Sequence, residues 1–181
     1  KDSAPNVALI EKKMDSLAKP VERIGAGAPL ATIARQKVVS EGIAAFYDAL
    51  LNPDGTYNES VSQIITRRPV AVVDLGGKTL DIAVGIENVR GVYGERSGTE
   101  NVGVLTLLTK ITARIKSQFN LCNDPPPSYV EEALRTKKYE LFGEDHDVSE
   151  IIENSCREYL AEVKNFFVAK VGHGSDLGAV I

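Results

Sequence analysis

The sequence predicts an α/β fold built on a three-stranded antiparallel meander with helices packed against it. Two observations lead there. Residues 70–74, 79–86 and 89–95 are apolar, largely β-branched runs separated by glycine-containing turns. Residues 101–119 and 148–168 instead place apolar side chains at helical spacing, Val104, Leu108, Ile111 and Ile115 in the first and Ile152, Cys156, Leu160, Val163 and Phe167 in the second. The 181 residues, 43% hydrophobic and 25% charged, suffice for one or two modest domains with a real core.

Taken from the start, Val7, Ile10, Met14 and Leu17 mark a short amphipathic helix closed by Pro20. Residues 20–24 and 32–39 alternate apolar with polar around Gly25-Ala26-Gly27-Ala28-Pro29, a pattern of two short strands joined by a turn. A helix is expected over 42–51, then a strong turn at Asn52-Pro53-Asp54-Gly55. The main organisational break falls between that turn and Arg68, dividing the chain into 1–62 and 63–181. Asn123-Asp124-Pro125-Pro126-Pro127 ends whatever precedes it, and a last strand begins at Leu177. The chain opens at Lys1 without a methionine and stops as that strand starts, so it reads as a fragment of something longer.

Net charge is −4 and the isoelectric point about 5.3, the opposite of the basic footprint that binds nucleic acid or anionic lipid. Direct DNA binding is not expected. Cys122 and Cys156 lie far apart without C-x-x-C spacing, against a zinc site or a disulfide framework and in keeping with a reducing cytoplasm. No apolar run approaches the ~20 residues that span a bilayer. His146 and His173 sit among polar residues with no partner at metal-ligand spacing.

The chemistry concentrates in Asp74-Leu75-Gly76-Gly77-Lys78-Thr79-Leu80-Asp81. A buried strand delivers a carboxylate to its end, a Gly-Gly pair turns, and a second strand leaves. Without Cβ atoms the two glycines let the backbone bend tightly and bring N–H groups against phosphate oxygens. Asp74 beside such an anion hole would hold a hydrated Mg²⁺, Lys78 would add a point charge, and Thr79 a hydroxyl. The plain alternative is a two-residue hairpin turn with no chemistry.

D-x-G-G-x-T-x-D between two apolar strands resembles the second phosphate hairpin of the actin, heat-shock chaperone and sugar-kinase superfamily. The likeness to its plasmid-segregation actins, the ParM/StbA type, extends further. Met14-Asp15-Ser16-Leu17-Ala18-Lys19-Pro20-Val21-Glu22 resembles the helix and strand before the interdomain segment. Val38-Val39-Ser40-Glu41-Gly42-Ile43-Ala44-Ala45-Phe46 is similar to the family's strand, glutamate and helix, with Val39-Ser40 where a proline is usual. Val92-Tyr93-Gly94-Glu95-Arg96-Ser97, followed by Asn101-Val102-Gly103-Val104, resembles its third strand and glycine-containing helix start.

The resemblance implies an incomplete actin-like, ribonuclease H-like ATPase domain, its meander extended by parallel strands. It implies ATP and Mg²⁺ as cofactors, catalytic roles for Glu41 and Asp74, and nucleotide contacts from Leu75, Gly76, Gly77, Lys78, Thr79 and Gly103. Glu41 would position the attacking water, or else it only caps the helix beginning at Gly42. Thr99 or Glu100 reads as part of an N-cap, and Gly103 as a close-approach backbone position. Glu131-Glu132 and Lys137-Lys138 read as solvated faces, with filament contacts as the lesser alternative. The implied partners are the protein itself, in a filament, and a DNA-bound adaptor at a plasmid centromere. The first phosphate hairpin and the adenosine motif are expected before Lys1 and after Gly178, so these 181 residues alone are expected to bind ATP weakly or not at all. A non-polymerising sugar or acetate kinase and a chaperone-like ATPase are the alternatives within the same fold.

Overall fold

The computed structural model describes residues 6–19, 33–39, 41–86 and 91–181. Helix α1 (Val7–Leu17) begins where the Asn6 side chain accepts a hydrogen bond from the Leu9 N–H at 3.1 Å. None of its residues is buried against the described chain. Residues 33–39 form no strand: no described strand runs beside them, and Gln36 instead donates its side-chain amide to the Met14 carbonyl at 2.7 Å. The expectation of strand over 32–39 is therefore corrected for the described residues, and 20–24 lies outside them.

Helices α2 (Glu41–Ala49) and α3 (Glu59–Arg67) are joined by a tight connection that the Asn52-Pro53-Asp54-Gly55 turn closes. Strands β1 (Val70–Leu75) and β2 (Leu80–Gly85) pair antiparallel, with Val73 opposite Ile82 and Asp74 opposite Asp81. Of the third strand, expected over 89–95, residues 89 and 90 lie outside the described residues, and the described remainder pairs differently. Val92 makes only an isolated bridge to Gly85, Gly94–Arg96 turn as 3₁₀ helix, and β3 forms at Gly98–Glu100 beside β2. The 3₁₀ turn interrupts the ladder, and the Val84 N–H donates instead to the Ser97 hydroxyl oxygen (3.0 Å). Thr99 and Glu100 are strand residues, not an N-cap. Strand β6 (Ala179–Val180) adds parallel to β1, giving the order β3-β2-β1-β6.

Because side chains alternate along a strand, β1 is buried on both faces. Val70 and Val72 pack with Phe46, Leu50 and Ile65 of the α2–α3 layer. Ala71 and Val73 pack with Ile82, Val84 and Val171 on the other side. The sheet is thus sandwiched between helices.

A second core lies beyond the β1–β2 turn. Helix α4 (Val104–Gln118) contributes Leu107, Ile111 and Ile115, which meet α5 (Pro127–Thr136), strand β4 (Lys138–Leu141) and the first half of α6 (Ser149–Val171). Ile111 and Ile115 are fully buried, each contributing roughly 1.5–3 kcal/mol of apolar transfer energy. The proline run is not what ends α4, which stops at Gln118 with Asn120 at a φ of 50°; Pro127 instead opens α5, where its missing N–H costs nothing. Strand β5 (Glu144–Asp147) returns along β4, placing His146 against the Phe119 ring. Their turn is Phe142-Gly143 with φ of 53° and 82°, both positive as a type I′ turn requires. Phe142, with a Cβ where glycine or asparagine is usual, pays a strain of about 1–3 kcal/mol while standing 98% exposed.

Helix α6 runs between the two cores, a rod of about 34 Å. At its far end Arg96 donates Nη1 and Nη2 to the Asp176 carboxylate (2.6 and 3.1 Å) and Nη2 also to the Val171 carbonyl (3.4 Å). The hydrogen bond from Arg96 holds the Asp176 carboxyl below its ordinary range, and the same bond raises Arg96. A depressed carboxylate adds stability above its unfolded value, about pH 4, and loses it as pH falls through the folded value. Acid titration followed by circular dichroism is therefore expected to show a shallower loss of stability below about pH 4 in Asp176→Asn than in the unaltered chain; equal slopes would remove this pair from the acid response.

Candidate functional site

The Gly76–Thr79 loop closes with one bond, the Gly76 N–H donating to the Thr79 carbonyl at 2.9 Å. Its remaining carbonyls face α4. Gly76 accepts from the Val104 N–H (3.0 Å), Gly77 from Leu105 (2.9 Å) and Lys78 from Gly103 (3.1 Å). These are the orphan donors of a helix N-terminus, which no side chain caps here. In a trans peptide the N–H points opposite to the C=O of the same unit, and the chain has no cis bonds among the described residues. The N–H groups of Gly77, Lys78 and Thr79 are consequently turned away from α4, and none donates to another described residue.

This arrangement depends on Gly103. It is buried, and a Cβ built on it would fall well inside 3.0 Å of the Gly77 and Lys78 backbone. The helix start and the turn lie in backbone contact. Anion-binding capacity thus passes from the helix, whose first amides are spent, to the turn, whose three amides form an outward row.

On the α2 side of the sheet a cavity of about 370 Å³ opens, lined among others by Glu41, Gly42, Asp74, Asp81 and Thr99, with Lys13 from α1. Glu41 opens α2 and Asp74 is the last residue but one of β1, so two elements distant in sequence bring the two expected carboxylates to one space. Leu75, Gly76, Gly77, Lys78 and Thr79 do not line this cavity; they continue from Asp74 as its neighbouring turn. Gly103 lies behind that turn. A smaller apolar cavity of about 130 Å³ adjoins it and shares Gly42, Val72, Ala83 and Val92.

The two aspartates that the register sets opposite each other differ in their partners. Asp81 accepts from the Thr79 hydroxyl at 2.8 Å and from the Thr99 hydroxyl on β3. Asp74 is exposed and makes no hydrogen bond or ion pair with the described residues. Like charges opposite each other on a sheet repel, and the hydroxyl donors offset this at Asp81 only. Among the described residues no three His, Cys, Asp or Glu side chains gather as a metal-binding group. Asp74 and Glu41, the two lining carboxylates that pair with no described residue, would meet a cation through its waters rather than enclose it directly.

Three lining residues escaped sequence reading as functional. Asp81 lies within the hairpin motif, so the signal was there; Thr99 becomes its partner only through the β2–β3 register, and Lys13 reaches the cavity only through the tertiary placement of α1.

The fold is actin-like. The structure superposes on a pCBH ParM non-polymerisable quadruple mutant with a TM-score of 0.71 at 13% identity, over 98% of this chain and 54% of the other. A 15-stranded ParM filament from Clostridium botulinum matches with a TM-score of 0.71 at 12% identity, over 99% and 57%. Ta0583, an archaeal actin homologue in complex with ADP, matches with a TM-score of 0.66 at 14% identity, over 84% and 46%. The chain spans about half the length of the solved structures it matches. No protein-family model matches the sequence. No curated protein matches it by sequence either. Among the described residues no helix is long and apolar enough to cross a membrane.

Because Gly103 admits no side chain, Gly103→Ala is expected to cost at least about 1–3 kcal/mol through overpacking and to separate the turn from α4. Urea unfolding reads the first effect; faster hydrogen exchange at Val104 and Leu105 reads the second. An alanine variant as stable and as protected as the unaltered chain would contradict the contact.

Proposed function

We propose that this chain is part of an actin-like ATPase that binds ATP with Mg²⁺, polymerises into nucleotide-dependent filaments and so segregates plasmid DNA. The observation that carries this reading is the row of outward N–H groups at Gly77, Lys78 and Thr79. It continues directly from the strand that delivers Asp74 to the cavity shared with Glu41. The ParM filament and the ADP complex of the archaeal homologue support self-association and nucleotide binding as activities that accompany the fold.

In this reading residues 1–62 end the first actin-like domain and residues 63–181 form part of the second. The turn from Leu75 to Thr79 holds phosphate oxygens through its amides, with Lys78 as a point charge and Gly103 fixing the backbone from behind. Bound Mg²⁺ supplies neutralisation of the charge that gathers on the phosphates. Asp74 orients the waters around the ion. Glu41, facing it across the cavity, orients the attacking water and accepts its proton. The protein acts in the cytoplasm, its partners being further copies of itself and a DNA-bound adaptor at a plasmid centromere. A net charge of −4 assigns the DNA contact to the adaptor.

Sedimentation of the full-length protein with ATP and Mg²⁺ tests the reading: a pellet that dissolves as ATP is consumed supports it, whereas hydrolysis without a pellet points to a non-polymerising enzyme of the same fold. Glu41→Gln is expected to lower kcat by about 10²–10⁴-fold with little change in ATP affinity. Asp74→Ala is expected to slow hydrolysis by about 10²-fold or more. Unaltered hydrolysis in either variant would remove that residue from the site.

A further inference from the structure

Phe142 is the most exposed large hydrophobic side chain described, at 98%, and it occupies a turn position that its own backbone resists. Asparagine or glycine there would relieve the strain, so the local fold gives no reason for phenylalanine. Glu140 and Glu144 flank the tip and neither is in an ion pair among the described residues. An acidic, aromatic tip repels nucleic acid and anionic lipid, and it matches an apolar surface edged by cations.

Such a surface stands at the other end of the chain. Arg67 and Arg68 close α3, exposed and likewise without ion pairs among the described residues, and Ile64, 36% exposed, lies one turn before Arg68. The separation follows from connectivity. Strand β5 leads into α6, which runs about 34 Å to the sheet, and the chain then enters β6 with the Gly178 N–H on the Pro69 carbonyl (2.8 Å), beside Arg68. One copy cannot bring the tip and the arginines together. Two copies can.

We infer that the Phe142 tip of one copy docks on the Ile64, Arg67 and Arg68 surface of the next, with the ring against guanidinium and aliphatic atoms and Glu140 and Glu144 paired with the arginines. A contact between two different surfaces of identical chains is heterologous and propagates head to tail, into an open filament where the rotation between copies does not close a ring. The inference rests on the filament reading above and names the residues that would carry it.

The test uses the full-length protein with ATP and Mg²⁺, read by pelleting, thermal unfolding and nucleotide affinity. Phe142→Asn is expected to melt at the same or a higher temperature and to bind ATP unchanged, while its critical concentration rises at least about 10-fold, as loss of one buried aromatic anchor implies. Arg67→Glu with Arg68→Glu is expected to do the same, and adding Glu140→Arg and Glu144→Arg to that pair to restore assembly. If the unaltered protein pellets and Phe142→Asn pellets at the same concentration, the inference is wrong. If Phe142→Asn blocks assembly but the arginine variants assemble normally, the receiving surface is wrong. If the unaltered protein never pellets, the filament reading itself fails.

Discussion

The structure turns on one backbone contact, the start of α4 set against the Gly76–Lys78 turn without an intervening side chain. Three carbonyls of the turn cap three amides of the helix, so each supplies what the other lacks. The turn keeps a shape it would not hold alone, and the helix gains a cap with no capping side chain. The trans geometry of the same peptides then fixes where the free amides point. A sterically empty position at Gly103 is thereby converted into a row of hydrogen-bond donors on the opposite side.

The sheet supplies the rest of the site by register. With Asp74 opposite Asp81, and Asp81 opposite Thr99, two acidic residues share a face but not an environment. Hydroxyl donors from both neighbours hold Asp81 in place. Asp74, one strand over, has its lone pairs free. Helix α2 lies over the same face and adds Glu41 across the cavity, so helix packing brings a distant carboxylate to the two that the hairpin motif supplies.

What the sequence made legible and what it concealed follow from the range of each signal. Gly103 was readable as a close-approach position, and a Cβ there would indeed meet the Gly77 and Lys78 backbone; Gly76 and Gly77 marked the turn, although neither has a positive φ nor a tight contact for an added Cβ. The buried strands and the stripe of α4 were readable because burial on a face imposes a period. Residues 89–95 look like a strand, but the 3₁₀ turn at Gly94–Arg96 breaks the ladder and the pairing resumes at Gly98-Thr99-Glu100, which has no apolar residue to announce it. Strands β4 and β5 carry mostly charged residues, with Tyr139 the one buried side chain between them, so their pattern resembles a solvated loop. The partnership of Thr99 with Asp81 is a product of register and lies beyond any reading of neighbouring residues.

Helix α6 carries a mechanical consequence. Its first half is packed into the α4–α5 core through Ile151, Ile152 and Tyr159, and its last turns are packed onto the sheet through Phe167 and Val171 and tethered by Arg96. No proline or glycine interrupts it. A continuous helix resists bending because curvature stretches a whole line of backbone hydrogen bonds. Torque applied at the Phe142 end would therefore be transmitted to the sheet as rigid-body tilt: the helix is a lever arm, and the Tyr159 hydroxyl on the Val102 carbonyl, next to Gly103, ties its middle to the start of α4.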